Sequence, residues 1–131
     1  YENEFPYKGK LTQKNISIMS MCEHHFVPII GKAHVSYIAN GKVIGLSKIH
    51  RMVKYYAKRP QVQERLTKQI MEALKSTLGI EDVAVAIDAR HMCVECRGVE
   101  DVTSSTITSA LSGQFLNEAT RSEFLRYIGM G

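Results

Sequence analysis

The sequence predicts an α+β fold in which an antiparallel β-sheet carries helices packed on one face. Alternating apolar residues indicate strands in two separate groups, first at Ile16 and Ile18 and later at Val83, Val85 and Ile87. Two stretches with the apolar spacing of helices lie between these groups, and a third lies near the end of the sequence. Strands and helices are therefore grouped rather than alternating, and the predicted order is β-β-β-α-α-β-β-α.

Three strands are predicted before the first helix. The first begins at Asn15, and a second extended stretch covers residues 26–39. Asn40-Gly41 is a strong hairpin signal, because both residues tolerate the positive φ angles of a tight turn. Residues 43–46 are predicted to form the returning strand.

Two helices are predicted in the middle of the chain. Ser47 is placed to cap the first helix, and Pro60 ends it and opens the second. Gly79 ends the second helix, since glycine suits the left-handed position after a helix. The predicted inward faces are Ile49, Met52, Val53, Tyr56 and Ala57 in the first helix, and Val62, Leu66, Ile70, Ala73, Leu74 and Leu78 in the second.

The last third of the chain predicts two strands and a helix. One strand starts at Val83 and runs through Arg97, and residues 102–110, rich in β-branched side chains, form its antiparallel partner. The closing helix is centred on residues 118–128, with Phe124 facing inward.

Composition sets limits on the class of protein. The 131 residues suit one domain, predicted over residues 15–131, preceded by a polar extended lead-in over residues 1–14. The net charge is 17 − 13 = +4, which suits an anionic ligand such as a phosphate. No apolar run approaches the ~20 residues of a membrane span, and no signal-peptide pattern is present, so we expect a cytoplasmic protein. Three cysteines, an odd count, favour metal binding or reactive thiols over disulfides.

The spacing of cysteine and histidine indicates a metal site. Two residues separate Cys22 from His25, a spacing that lets a thiolate and an imidazole bind one zinc ion from a tight turn. On the predicted strand, Cys93 and Cys96 point to opposite faces. Cys22, His25 and Cys93 would then leave an open fourth position, which is typical of catalytic zinc. A bulge in the strand would add Cys96 and give a closed structural site, and both alternatives stay open.

Two histidines beside this spacing are candidates for proton transfer. His24 is adjacent to the ligand pair, and His91 shares a strand face with Cys93. Imidazole titrates near neutral pH, which suits a general acid or base. The alternatives are a solvated turn residue for His24 and a surface strand residue for His91.

Basic residues indicate an anion site at the start of the first helix. Ser47 and Lys48 open that helix, and Arg51 lies one turn further along. A helix N-terminus offers free N–H groups and a positive dipole end to a phosphate. Arg97 adds a guanidinium that can bind phosphate with two hydrogen bonds. The alternative is a solvated basic helix face.

The start of the second helix offers a candidate for base recognition. Glu64, which follows Gln63, carries a carboxylate that can accept hydrogen bonds from an N–H edge such as that of guanine. The alternative is a carboxylate that only stabilises the positive end of the helix.

Six short motifs match, in order and spacing, those of one enzyme family. They are Cys22-Glu23-His24-His25-Phe26-Val27, Gly45-Leu46-Ser47-Lys48-Ile49, Arg59-Pro60-Gln61-Val62-Gln63-Glu64-Arg65-Leu66-Thr67, His91-Met92-Cys93, Arg97-Gly98-Val99 and Phe124-Leu125. With these motifs the chain resembles type I GTP cyclohydrolase from about Ile16 onward.

This resemblance implies a fold and an activity. The fold is the tunnelling fold, in which the sheets of several subunits close into a barrel, and residues 15–131 would be the catalytic domain. The family forms homodecamers with active sites between subunits. It converts GTP and water into 7,8-dihydroneopterin triphosphate and formate, for tetrahydrofolate or biopterin synthesis. Its members also carry an N-terminal helical region with a phosphate-binding lysine, so we expect this chain to be the catalytic core.

The resemblance also implies residue roles and one zinc ion per subunit. The zinc ligands would be Cys22, His25 and Cys93. The residues that line the reaction centre would be Glu23, His24 and His91. The triphosphate and ribose would contact Ser47, Lys48, Arg51 and Arg97, and the purine would contact Gln63 and Glu64. His24 would protonate the opening ring, His91 would help open the ribose, and Ser47 would assist the sugar rearrangement.

Two other functions compete with this one. A non-catalytic zinc-binding basic module would suit the charge, but the sequence has no zinc-finger spacing, RNA-binding signature or aromatic stacking run, so no nucleic-acid partner is expected. Another purine or pterin enzyme of the tunnelling fold, such as a nitrile reductase of queuosine synthesis, would use a nucleophilic cysteine and would not need the Cys22–His25 spacing.

Overall fold

The structure, a computed structural model, describes residues 9–23, 28–41, 43–91 and 105–129, with His91 described by its backbone alone. The strands are β1 (Lys10–Cys22), β2 (Pro28–Ile38), β3 (Pro60–Gln61), β4 (Val83–His91) and β5 (Thr106–Leu111). The helices are α1 (Leu46–Ala57), α2 (Gln63–Leu78) and α3 (Glu118–Tyr127), with a 3-10 turn at Gly113–Leu116. The sheet order is β3-β1-β2-β4-β5, and only the β1–β3 pair is parallel. The predicted α+β class is confirmed.

Helices α1 and α2 pack on one face of the sheet, as predicted, and α3 packs on the other. The first face buries Val83, Val85 and Ile87 of β4 against the two long helices. Ala84 and Ala86 point the opposite way and pack with Phe115 and Phe124. The two phenyl rings are arranged edge to face, with their centroids 5.9 Å apart. Because residues 83–87 of β4 are buried on both faces, this part of the strand is a continuous apolar run that ends before Asp88.

The first strand starts earlier than predicted. Lys10 already pairs with Ile38 of β2, so β1 includes five residues that had been assigned to the lead-in. The side chains at the start of β1 are mostly polar and show no apolar alternation. This part is a strand because its backbone forms hydrogen bonds with the neighbouring strand, which the sequence does not show.

Three predictions around α1 are wrong. Residues 43–45 form no strand, and the helix begins at Leu46 with Gly45 as its N-terminal cap. The backbone N–H groups of Lys48 and Ile49 donate to the Gly45 carbonyl, at 3.0 and 3.2 Å. Ser47 therefore lies inside the first turn and does not cap the helix. At the other end, Pro60 belongs to β3 and does not open α2.

The end of α2 agrees with the prediction. Gly79 has a φ of +65° and follows Leu78 in the left-handed conformation. The predicted continuation of β4 to Arg97 lies outside the described residues, as do residues 102–104 of the last predicted strand. Among the described residues, no helix is long and apolar enough to cross a membrane.

A buried histidine fixes a bulge in β1 at Asn15, which has a φ of +62°. The Asn15 backbone N–H donates to Nδ1 of His34 on β2, 3.0 Å away. Burial lowers the pKa of His34, and although Asp88 opposes this effect, Lys14 and Lys32 add to it. The ring is therefore held neutral, with Nδ1 as an acceptor.

We expect acid to weaken this bulge. A pKa below the ordinary value of about 6.5 means that His34 contributes full stability above that pH and loses it as the pH falls and the ring takes a proton. The protonated Nδ1 cannot accept the Asn15 hydrogen bond, which is worth about 1 kcal/mol. Urea unfolding at pH 8 and pH 5.5 should show that the stability advantage of the wild type over His34→Gln shrinks in acid. An equal advantage at both pH values would contradict this assignment.

Candidate active site

Cys22, a residue predicted to bind metal, ends β1 at the same end of the sheet as the start of β2 and the end of β4. Met21 pairs with Pro28 at the start of β2, and Ile29 pairs with His91 at the end of β4. Since neighbouring strands lie about 4.8 Å apart, Cys22 and the His91 backbone end two strands that are roughly 10 Å apart. In the sequence, His25 follows Cys22 by three residues and Cys93 follows His91 by two.

Cys22 is the one predicted zinc ligand among the described residues. It is half-buried and packs against the core beneath α1 and α2. His24, His25, Cys93, Cys96 and Arg97 lie outside the described residues. Within residues 9–23, 28–41, 43–90 and 105–129, no three histidine, cysteine or carboxylate side chains form a metal-binding group. Cys22 lies at the end of the sheet where β4 also ends, and it offers a thiolate. Thiolate and imidazole are the donors that zinc prefers.

The start of α2 lies beside Cys22. Cys22 pairs with Gln61 of β3, and the Glu23 backbone N–H donates to the Gln61 carbonyl at 3.1 Å. Gln63 and Glu64 follow within one turn and begin α2. One chain therefore brings the residue predicted to bind zinc next to the residues predicted to bind the purine.

Gln63 and Glu64 have different surroundings. Glu64 is exposed on the first turn of α2. Gln63 is 1% exposed, and its side-chain amide donates to the carbonyls of Ile87 and Thr106, at 3.2 and 2.9 Å, and to Oγ1 of Thr108 at 3.1 Å. This amide group ties α2 to β4 and β5, and the purine contact predicted for Gln63 stays a prediction.

The predicted anion-binding residues lie along α1. Ser47, Lys48 and Arg51 are all exposed. Lys48 and Arg51 line a groove of about 960 Å³ between α1 and α2, together with Arg65 and Lys68 of α2. Arg65 forms an ion pair with Glu23, and the other three cations outnumber Glu72, which also lines the groove, so a positive charge remains for an anionic ligand.

The anion-binding residues and Cys22 form two groups within one chain. Leu46 at the start of α1 and Leu11 near the start of β1 line the same cavity. At the other end of the helix, the Arg59 carbonyl accepts a hydrogen bond from the Ser20 hydroxyl near the end of β1. From Ser47 to Ala57, the last residue of α1, the helix rises about 15 Å. Side chains at the start of α1 are thus well separated from Cys22.

Arg65 is not among the predicted site residues. Its Nη1 and Nη2 atoms donate to Oε2 and Oε1 of Glu23, both at 2.8 Å, and this hydrogen bonding raises the pKa of Arg65. Because the two residues are 42 positions apart in the sequence, no local spacing indicates the pair. Only the parallel pairing of β1 with β3 brings them together.

Comparison with known proteins identifies the family. The family model described as GTP cyclohydrolase I matches residues 2–129. GTP cyclohydrolase 1 of Flavobacterium johnsoniae is 57% identical over 128 residues, which cover 98% of this chain and 57% of that protein. GTP cyclohydrolase 1 of Chlorobaculum tepidum is 55% identical over 124 residues, which cover 94% of this chain and 55% of that protein.

A solved structure supports the fold. The archaeosine synthase QueF-Like, in its apo form, aligns with a TM-score of 0.64 at 20% identity, over 84% of this chain and 97% of that chain. At this identity the likeness concerns the fold alone. The chain spans just over half the length of the curated relatives it matches. From the extent and identity of these matches, the chain belongs to the GTP cyclohydrolase I family.

Proposed function

We propose that the protein converts GTP and water into 7,8-dihydroneopterin triphosphate and formate, with one zinc ion per chain. The observation that carries this proposal is the meeting of three parts at one end of the sheet: Cys22, the His91 end of β4, and the start of α2. Membership in the GTP cyclohydrolase I family supports it.

Cys22, His25 and Cys93 would hold the zinc ion. Two thiolates and one imidazole are donors that zinc prefers, and three protein ligands leave a position for water. When bound, zinc supplies a water molecule with a pKa lowered toward ~7, which allows hydrolysis near neutral pH.

The chain's own residues would orient the base and move protons. Glu64 would accept hydrogen bonds from the N–H edge of guanine and so fix the position of C8. His24 would donate a proton to the imidazole ring as water adds to C8 and the C8–N9 bond breaks. A second water releases C8 as formate. His91 would help open the ribose and Ser47 would assist its rearrangement, and the condensation that closes the pterin ring returns one water.

Lys48, Arg51 and Arg97 would bind the triphosphate, which does not react. Its binding energy would hold the base at the hydrolytic centre, an effect of orientation. Because Ser47 and Lys48 lie at the start of α1, well separated from Cys22, we propose that neighbouring copies of the chain complete each site.

The sheet edges support an assembly of copies. Among the described residues, no strand pairs with β5 on the side away from β4. On the side of β1 away from β2, β3 pairs only with the end of the strand, and no described strand pairs with residues 11–20. Three antiparallel steps lead from β1 to β5, so β5 of one copy can continue the antiparallel order with β1 of the next. Met19 and Ile30, which pair across β1 and β2, are 69% and 44% exposed and suit a covered face. We propose a closed ring, in the homodecamer that the resemblance implies.

We expect Arg51→Ala to weaken GTP binding by roughly 10- to 150-fold, since one charge-assisted phosphate contact is worth about 1.5–3 kcal/mol. Guanosine binding should be nearly unchanged, because guanosine has no phosphate. Lys54→Ala, an exposed cation on the same helix, is the matched control and should bind GTP like the wild type. Equal losses for GTP and guanosine would show that Arg51 does not contact phosphate. A wild-type protein that binds GTP but releases no formate would overturn the proposed function.

A further inference from the structure

The ion pair between Glu23 and Arg65 joins two parts of the proposed site. Nη1 and Nη2 of Arg65 each donate to one carboxylate oxygen of Glu23 at 2.8 Å, which is the two-pronged geometry that an arginine and a carboxylate form best. Glu23 directly follows Cys22, and Arg65 directly follows Glu64.

The Glu23–Arg65 ion pair, here called the clamp, reinforces a backbone hydrogen bond at the same place. The Glu23 N–H donates to the Gln61 carbonyl at 3.1 Å, while the Glu23 carboxylate reaches Arg65 four residues further along. Leu66, next to Arg65, is fully buried and anchors this turn of α2 in the core. Glu23 is therefore held through both its backbone and its side chain by the segment that begins α2.

Stability alone is a weak reason for this pair. The side chains of Arg65 and Glu23 are 45% and 32% exposed, and exposed ion pairs contribute little to folding. Two simultaneous hydrogen bonds nevertheless fix the relative orientation of the two groups. The contribution of the clamp is geometric.

We propose that Arg65 is a positioning residue for the reaction. Through Glu23 it sets the position of Cys22, which would bind the metal, relative to the start of α2, which would hold the purine. This inference rests on the proposed function. A displacement of about 1 Å between reacting groups can cost roughly 100-fold in rate, so loss of the clamp should lower kcat. The groups that bind GTP remain, so KM should change little.

The test compares Arg65→Gln, Arg65→Lys, Glu23→Gln and the double variant in the intact protein that carries this chain. Arg65→Gln should lower kcat by roughly 10- to 100-fold with KM for GTP within about threefold of wild type. Arg65→Lys should recover only part of the rate, because lysine cannot make the two-pronged contact. The double variant should be no slower than Glu23→Gln, since Arg65 acts through Glu23.

The control and three further readouts separate positioning from folding. Lys75→Gln removes an ion pair with Glu81, 3.1 Å long, at the far end of α2 and should keep the wild-type kcat. Melting temperature and zinc content of Arg65→Gln should match the wild type, while hydrogen exchange at the Glu23 amide should become faster. If Arg65→Gln fails to fold, the kcat and KM of Arg65→Lys decide.

The possible failures are distinguishable. An active wild type with an equally active Arg65→Gln would overturn the role of Arg65 and leave the proposed function standing. Independent, multiplying losses in the double variant would also overturn it. A zinc-loaded wild type that releases no formate from GTP would overturn the proposed function, and the role of Arg65 with it.

Discussion

His25→Ala should lose zinc and all turnover, whereas His24→Ala should keep zinc and turn over GTP roughly 10²- to 10⁴-fold more slowly. Consecutive side chains in an extended segment diverge, so both rings cannot easily reach one metal ion. The two-residue spacing from Cys22 favours His25 as the ligand. His24 is then left to donate or accept a proton.

Metal analysis of the two purified variants, with rates of formate release, checks this assignment. The pair is its own control, because the substitutions are chemically identical and adjacent. Zinc lost from His24→Ala and kept in His25→Ala would reverse the two roles. Full activity in His24→Ala would remove that residue from the mechanism.

Cys93→Ala should lose both zinc and activity, while Cys96→Ala should keep one zinc ion per chain and most of the rate. The reason is strand parity, since residues three apart on a regular strand face opposite sides. Cys96 then serves as a small packing residue, a common fate of a free cysteine. Zinc content and turnover of both variants give the result. Equal zinc loss in the two would indicate a closed structural site with four protein ligands.

The parts of the fold with strong local periodicity could be predicted from the sequence. Alternation at Ile16 and Ile18 marks the buried face of β1, and the helical spacing up to Leu78 with Gly79 after it marks α2. In these segments the burial pattern and the local conformational preferences agree.

The elements that depend on distant backbone could not be predicted. The polar start of β1 forms a strand because β2 supplies its hydrogen bonds, and Pro60–Gln61 becomes β3 by pairing with Met21 and Cys22. The start of α1 was misplaced because Gly45 caps the helix without a side chain, although Ser47 is the residue type that usually caps.

In the candidate site, too, local patterns could be predicted from the sequence and tertiary contacts could not. The metal spacing at Cys22 and the acidic start of α2 are visible in the sequence, because each is a local pattern. That Cys22 and α2 are neighbours follows only from the β1–β3 pairing. The Glu23–Arg65 clamp is likewise a tertiary contact, and the motif that contains Arg65 gave no indication of its partner.

Hydrolysis of GTP by this protein should depend on zinc, and formate release measured while zinc is removed and returned is the decisive experiment. We expect the chelator-treated intact protein to make neither formate nor a fluorescent pterin. Turnover should return in proportion to added zinc and reach its maximum at one ion per chain, with equal amounts of formate and pterin. Full turnover by the metal-free protein would contradict the dependence on zinc, and no formate from the zinc-loaded protein would contradict hydrolysis of GTP.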